Sequence, residues 1–543
     1  MANIKLSKKL FEKEIGRLDE KMQHKIAMFG TPLESITENE LELEIFPNRP
    51  DLLSYAGFKR SFLSFLGKKT GLKQYKINLP EKDFLVKVDS SVKDIRPYTA
   101  CAIVKGLKLD DEKIRELIDL QEKLHITIGR KRKKLAIGIY PLDKIKTPIT
   151  YKALEPDKIK FTPLEMNREM SGLQILQRHP TGRDYAHLLA GKSKFPIFID
   201  SNNQILSMPP IINSQLTGKI STSTKDVFVE CSGFNMPILK KCLNIIITTL
   251  AEMNGKIYQM KVKNQITPDL NPEKFKISKE KVNKTLGLNL NEKEIKTLLE
   301  KMGHNYKNNT VEIAAWRTDI MHEVDLIEDI AIAYGYDNFI PEIPEISTIG
   351  QENPKEIIKK KISEILTNLK LIEISNYHLT NKKNQFTKMG IPEKKEKDFI
   401  EVLESKTEFN ILRKDLTHYL LKIASENVDS EYPQDIFEIG KTFELKNSEI
   451  IEQEKLSITN IPGNFTKLKQ ILEHLFKMLD LKIELKEPNE QPIHFIQGRT
   501  AEIFFNKESI GFLGEIHPKI LRNWRIKMPI ALLEISLNKI LSR

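Results

Sequence analysis

The chain has 543 residues, 29% of them charged and 40% hydrophobic, and its 86 Lys plus Arg exceed its 74 Asp plus Glu to give a formal net charge of +12. At roughly 150 residues per domain this predicts three or four folded domains and excludes a disordered or low-complexity chain. The positive balance fits a polyanionic partner such as RNA and equally a lysine-rich proteome. Cys101, Cys231 and Cys242 are odd in number and lack zinc-ligand spacing, so neither a disulfide framework nor a cysteine metal site is expected, and a reducing interior is. The opening MANIKLSKKLFEKEIGRLDEK has acids among its lysines and no apolar centre, unlike a secretory signal. The longest apolar run, CLNIIITTLA, is shorter than the ~20 residues a membrane span needs. A soluble, cytoplasmic protein is therefore expected.

Residues 1–87 are expected to open with a charged amphipathic helix and to continue into ELELEIF, a turn at PNRPD, and a second helix. Asp51 would cap that helix, and Tyr55, Phe58, Phe62, Phe65 and Leu66 recur at helical spacing, as core residues do. Residues 88–267 change to short apolar runs, TACAIVKGL, KLAIGIY, KFPIFID and DVFVECSG, with one helix around DEKIRELIDLQEKLH. Strands separated by long loops predict an α+β domain whose loops build a pocket. GRKRKK, residues 129–134, reads as a solvated loop or a phosphate contact. After a helix at about 234–254, residues 268–344 carry two helix patterns, the strand NTVEIAAW and an acidic helix, which together predict a small separate module. IPEIPEISTIGQENP reads as a linker. Residues 345–543 alternate helices with strands such as DIFEIGKTFEL and RTAEIFFNKESIGFLGEI, predicting an antiparallel sheet with helices on one face.

No phosphate-binding P-loop, dinucleotide fingerprint, GxSxG elbow or HExxH is present. In WRTDIMHEVDLIEDIAIAYGYDNF the acids Asp319, Asp325, Glu328 and Asp329 crowd together. On a helical wheel Asp325, Glu328 and Asp329 fall opposite Ile327, Ile330, Ala331 and Tyr334, whereas Glu323 lies on the apolar side and is left out of the cluster. Spacing favours a solvated face over a hard-cation site, and both over a catalytic pair. In RHPTGRDYAHLL, His179 and His187 suit turn chemistry, and SMPPIINS must be an irregular loop or a sheet edge because its proline pair cannot continue a central strand.

Seven segments, FPNRPDLLSYAG, LQEKLHITIGRKRKKLAIGIYPLD, HPTGRDYAHLL, SMPPIINS, the acidic stretch, FEIGKTF and GRTAEIFF with IGFLGEIHPKIL, together resemble the β subunit of phenylalanyl-tRNA synthetase of the archaeal and eukaryotic type. The resemblance implies an α+β multidomain fold with a B3/B4 editing domain at 88–267, a B5 module at 268–344 and a catalytically inactive class II synthetase-like domain at 345–543 (B6/B7). It implies an editing pocket of Phe198, Ser207, Pro209, Asn213, Glu230 and Ser232, and a Mg²⁺ site of Asp319, Asp325, Glu328 and Asp329. The chain departs from the family at VECSGFN, where VTGTD is usual. A carboxylate at 230 would recognise the hydroxyl of tyrosine and reject phenylalanine. The partners implied are an α subunit that binds ATP and attaches phenylalanine, in an α₂β₂ tetramer, and tRNA(Phe). Beside this stand two alternatives, a free-standing deacylase of mischarged tRNA and a tRNA-binding scaffold. Inserted OB-type and C-terminal anticodon-binding domains of bacterial relatives are expected to be missing.

Overall fold

The computed structural model describes residues 2–392, 399–447 and 449–542. Its contacts divide the chain into two compact units, Met1–Ile343 and Pro344–Arg543.

The first unit is organised by a sheet with eleven strands among the described residues. Its main path runs Ile212–Asn213, Ile205–Met208, Phe195–Ile199, Ile149–Leu154, Leu85–Val88, Lys256–Val262, Tyr98–Lys105, Val227–Gly233, Leu135–Pro141. Leu85–Val88 runs parallel to both its neighbours, so the boundary expected at 87 falls inside a strand of the central sheet. Helix Met236–Glu252 lies against strands Tyr98–Lys105 and Val227–Gly233. Every residue from Cys242 to Leu250 is buried, so the middle of this helix is covered on all sides. On its far side Thr249 bonds Ser54 at 3.2 Å, and Asn244 donates to the carbonyls of Asp269 and Ala315.

The stretch expected to form a small module, 268–344, packs on the same core. That stretch has its own three-stranded sheet and the helices Lys279–Leu286, Glu292–Lys301 and Glu323–Tyr334, yet its Val282, Leu299, Trp316 and Ile330 share one core with Phe11, Phe58 and Leu243. Backbone links add to the shared core, with Ser64 Oγ donating to the Glu300 carbonyl and Leu72 N–H to Asn305. The N-terminus also differs from expectation. Strand Ala2–Ser7 precedes the first helix, Lys8–Glu14, because Ile4 and Leu6 alternate inward against Leu43 and Leu41 of strand Glu40–Ile45. Ser54, accepting from Gly57 N–H at 3.0 Å, caps helix Tyr55–Phe65, whereas Asp51 pairs with Arg49 at 2.9 Å. Phe58 and Phe62 of that helix are fully buried against Phe11 and Phe29, as core residues.

The second unit holds a sheet with seven strands among the described residues, ordered Ile372–Glu373, Gln434–Lys446, Glu449–Ile461, Ala531–Ser536, Glu508–Ile516, Phe495–Phe505, Glu484–Lys486, antiparallel except at its first pair. Helices cover both faces, not one. Phe437, Leu456, Ile458 and Leu533 pack against helices Pro354–Asn368 and Phe465–Met478, while Ile436, Ile461 and Leu532 face helices Thr417–Glu426 and Pro518–Asn523. Neighbours such as Ile436 and Phe437 are both apolar, and strand alternation sends them to opposite sides. Within this unit Arg413 and Glu438 form a buried ion pair at 2.6 Å. Among the described residues no helix is long and apolar enough to cross a membrane.

Candidate functional site

A cavity of about 480 Å³ opens in the first unit between the central sheet, helix Asp111–Ile126 and the Ser207–Asn213 turn. Its apolar walls include Ile118, Ile137, Pro209 and Ile211, and its floor is polar.

The floor is set by strand pairing. Glu230 lies opposite Gly138 on one side and Cys101 on the other. A Cβ at Gly138 would stand 2.2 Å from the Tyr140 hydroxyl and 2.7 Å from Glu230 Oε1, so only glycine lets these two groups meet there. Tyr140, on the same strand face two residues on, donates to Ser207 Oγ at 2.7 Å, with Glu230 Oε1 and Asn213 Oδ1 each at 3.4 Å. Glu230 is 2% exposed and its second carboxylate oxygen has no partner. Burial pushes its carboxyl up to about 8, against the opposing pull of Arg96. Burial likewise drives the Tyr140 hydroxyl well above its ordinary value, reinforced by the Glu230 charge, so it remains a donor.

Four of the six residues expected to form this pocket, Ser207, Pro209, Asn213 and Glu230, line it. The other two stand behind it. Phe198 stacks on Tyr151 with ring centroids 4.4 Å apart, inside a separate core cluster. Ser232 is fully buried beneath Arg96, which donates to its carbonyl at 2.6 Å and its hydroxyl at 3.2 Å. Ser232 thereby fixes a cation near Glu230 instead of facing the cavity.

One wall is built from residues that the sequence did not single out individually. Arg132, within GRKRKK, donates through Nη1 to the Ile211 carbonyl at 2.8 Å and through Nη2 to Glu122 at 2.9 Å. The turn carries three successive non-glycine residues at positive φ, Arg130, Lys131 and Arg132 at 46°, 52° and 63°. Such a backbone persists only when its surroundings hold it, and the Arg132 bonds do so. His125 accepts the Ile137 N–H on Nε2 at 2.8 Å, which leaves Nδ1–H to donate to Glu122 at 3.1 Å. Burial opposes charge on Glu122, but His125 and Arg132 outweigh it and bring its carboxyl down to about 2. Burial holds His125 below its ordinary value, consistent with a neutral ring. His179, by contrast, is buried with Nε2 at 3.0 Å from the Leu164 carbonyl, and His187 is exposed. SMPPIINS forms two short strands at the sheet edge with the Pro209–Pro210 turn between them.

The acids expected to bind Mg²⁺ have other partners. Arg317 grips Asp319 through Nε and Nη2 at 2.8 and 2.7 Å and reaches Asp329 at 2.9 Å. Asp329 is not on a wet face. It is 4% exposed and meets His304 Nε2 at 2.7 Å. Although burial opposes it, Arg317 and His304 hold its carboxyl well below the usual range. Asp325 accepts the Met321 and His322 N–H groups at 2.8 and 2.7 Å at the start of helix Glu323–Tyr334. Only Glu328 is exposed, and its carboxyl is raised by partial burial and by the charges of Asp329, Asp325 and Asp319. Glu323 pairs with Lys281 at 2.6 Å, outside the cluster. Among the described residues no three His, Cys, Asp or Glu side chains are grouped to hold a metal ion. Arg317 thus sets one positive charge against Asp319 and Asp329, while Asp325 and Glu328 have no cationic partner among the described residues.

The family description "tRNA synthetase B5 domain" matches residues 275–336, and "Phenylalanyl tRNA synthetase beta chain CLM domain" matches 340–537. Together with the two-unit fold these define a subunit of an aminoacyl-tRNA synthetase. The phenylalanine–tRNA ligase beta subunit of Thermococcus sibiricus is 40% identical over 504 residues, covering 90% of this chain and 89% of its own. That of Archaeoglobus fulgidus is 36% identical, covering 97% and 96%. The crystal structure of an N-terminal fragment of the phenylalanyl-tRNA synthetase beta subunit from Pyrococcus horikoshii superposes with a TM-score of 0.59 at 40% identity, covering 61% of this chain and 99% of the fragment. The chain belongs to the family of phenylalanine–tRNA ligase β subunits, part of the ligase that the family is named for.

Proposed function

We propose that the cavity over Glu230 removes tyrosine wrongly esterified to tRNA(Phe), while an α subunit, in an α₂β₂ tetramer with this chain, binds ATP and Mg²⁺ and attaches phenylalanine. The supporting observation is the unpartnered, buried Glu230 oxygen beside the Tyr140–Ser207 bond at the floor of a cavity whose walls include Ile118, Ile137, Pro209 and Ile211. An incoming phenol hydroxyl pairs with that oxygen. Phenylalanine fills the same apolar space but leaves the carboxyl unsatisfied, a difference large enough for selection. Tyr140 orients Ser207, and Arg132 fixes the Pro210–Ile211 rim against which the substrate lies. Hydrolysis then breaks the acyl–oxygen bond of the ester, releasing tyrosine and restoring the terminal hydroxyl of the tRNA. In this reading the C-terminal unit is a class II-like scaffold without its own aminoacylation site, and the protein works in the cytoplasm on tRNA.

The test is to purify this chain with its α subunit and to follow deacylation of Tyr-tRNA(Phe) alongside aminoacylation. Glu230→Ala is expected to abolish discrimination against tyrosine and leave the charging rate unchanged. Unaltered Tyr-tRNA(Phe) hydrolysis in that variant, or charging by this chain alone, would refute the proposal.

A further inference from the structure

The turn GRKRKK, residues 129–134, carries more charge than the cavity wall uses. Of its five cations Arg132 has a carboxylate partner, Glu122. Arg130, Lys131, Lys133 and Lys134 are exposed, and among the described residues none of them pairs with an acid. The turn is nevertheless rigid. Every backbone N–H from Gly129 to Lys134 is bonded, to the carbonyls of Leu124, Thr127, Ile126, His125, Arg130 and Gly129 in turn. A side chain at 129 would collide with the His125 carbonyl. Four cations held on one rigid turn repel one another, and an anion offsets that repulsion. The protein itself offers little. Of the acids that line the neighbouring cavity, Glu122 is taken by Arg132 and His125 and Glu230 is buried at the floor, which leaves Glu165 against these four cations and Lys219.

Strand pairing ties the turn to the cavity and to two aromatic rings. Strand Leu135–Pro141 starts where the turn ends, and its Gly138, opposite Glu230, lies three residues on, about 10 Å along the strand. Leu135 pairs with Gly233, which pairs on its other side with Tyr98. A side chain at 233 would collide with the Lys134 carbonyl, so the turn and this strand end touch. The next residue, Phe234, is 52% exposed, with the Arg96 guanidinium 5.4 Å from its ring centroid, and Tyr98 is 44% exposed. Two half-exposed rings therefore stand at the same end of the sheet as four unpaired cations. Surfaces that bind single-stranded nucleic acid combine these two components, cations along the phosphates and rings under the bases, whereas a duplex keeps its bases stacked on one another.

We infer that this end of the sheet binds the single-stranded 3′ end of an RNA, with Arg130, Lys131, Lys133 and Lys134 on its phosphates and Phe234 stacked on a base, so that the terminal nucleoside is led toward the cavity. The inference rests on the editing reading for what the strand carries, and adds to it the surface that delivers the ester.

Two RNA hairpins of identical stem, one with an unpaired CCA tail and one blunt, test it by fluorescence anisotropy with the full chain over a range of salt. The tailed hairpin is expected to bind more tightly. Arg130→Asn combined with Lys131→Asn removes two charges and puts at each positive φ a residue that accepts it. Lys133→Gln combined with Lys134→Gln removes the other two. Each pair should weaken binding of the tailed hairpin about 25-fold at about 0.1 M salt and reduce the slope of log affinity against log salt by about 1.4, the counterion release of two single-strand phosphates. Phe234→Leu should weaken binding about tenfold and leave that slope in place, because stacking releases no counterions. In the complex with α, both charge pairs should raise KM for Tyr-tRNA(Phe) deacylation with little change in kcat. Equal affinity for the two hairpins, an unchanged slope in either charge pair, or an unchanged KM would overturn the inference. The hairpins carry no amino acid, so their binding is read whether or not Glu230→Ala alters deacylation, and the two readings fail separately.

Discussion

Glu230→Gln isolates the protonation of one buried carboxyl. In the unfolded chain this group ionises at its ordinary value of 4.5, and in the folded chain at about 8. Between these values the folded state keeps a proton that the unfolded state has released, so each step up in pH favours unfolding. The stability associated with the neutral form is fully present below 4.5 and is lost progressively up to 8. At about 1.4 kcal/mol per pH unit per proton, the loss between pH 5 and pH 8 is about 3–4 kcal/mol. Glutamine is neutral throughout, has nearly the same shape, and keeps an acceptor for the Tyr140 hydroxyl. The two proteins should therefore melt within about 1 °C of each other at pH 5, and the variant should melt several degrees higher at pH 8. Every other titrating group is common to both, so the difference between the two melting curves, followed by calorimetry across this range, reports Glu230 alone. A difference that stays flat with pH would refute the reasoning, since it would mean the carboxyl is already ionised in the fold.

Gly138→Ala places a methyl group within 2.2 Å of the Tyr140 hydroxyl. It is expected to cost about 1–3 kcal/mol in stability and to reduce Tyr-tRNA(Phe) deacylation, measured by denaturation and by the hydrolysis assay. Arg132→Ala frees the Ile211 carbonyl and Glu122, so it should raise KM for deacylation more than it lowers kcat, while aminoacylation by the complex with α stays unchanged. Arg317→Met leaves Asp319 without its cation and Asp329 with His304 alone, and thermal denaturation should show a loss of about 3–5 kcal/mol. Because Arg317 already occupies the carboxylates of Asp319 and Asp329, adding millimolar Mg²⁺ or a chelator should shift the wild-type melting temperature no more than a matched change in ionic strength does.

Much of the fold was readable because strong periodicity survives tertiary packing. KLAIGIY, KFPIFID and DVFVECSG lie in strands Leu135–Pro141, Phe195–Ile199 and Val227–Gly233, and FTKLKQILEHLFKML lies in helix Phe465–Met478 and its cap. The opening strand was read as a helix because ANIKLS is short and runs straight into the helical KKLFEKE, and its inward alternation only becomes decisive opposite Leu41 and Leu43. Of the site, Ser207, Pro209, Asn213 and Glu230 were named from a resemblance, and the chemistry of 230 followed from what a carboxylate can do with the hydroxyl of tyrosine. What could not be read was which side of Glu230 was already taken. Ser232 shares its strand face, but only the fold shows Arg96 seated on it. Tyr140 left a usable signal, a glycine two residues earlier in a β-rich run. The acidic helix misled in the opposite direction, since a helical wheel places Asp329 beside Asp325 and cannot show Arg317 and His304 arriving from outside the helix.

The order of strands in the central sheet also constrains synthesis. Leu85–Val88 finds its parallel neighbours only in Ile149–Leu154 and Lys256–Val262, and the latter also zips onto Tyr98–Lys105. At about 5–20 residues per second, roughly ten seconds or more separate the emergence of the first of these strands from that of the last. Until residue 262 has cleared the ribosome, the edges of Leu85–Val88 and Tyr98–Lys105 that it will cover are open to other β-edges. A truncated product ending shortly before it would therefore expose two apolar strand edges at once, and its accumulation in inclusion bodies, unlike that of a product ending after residue 343, follows from this sheet order.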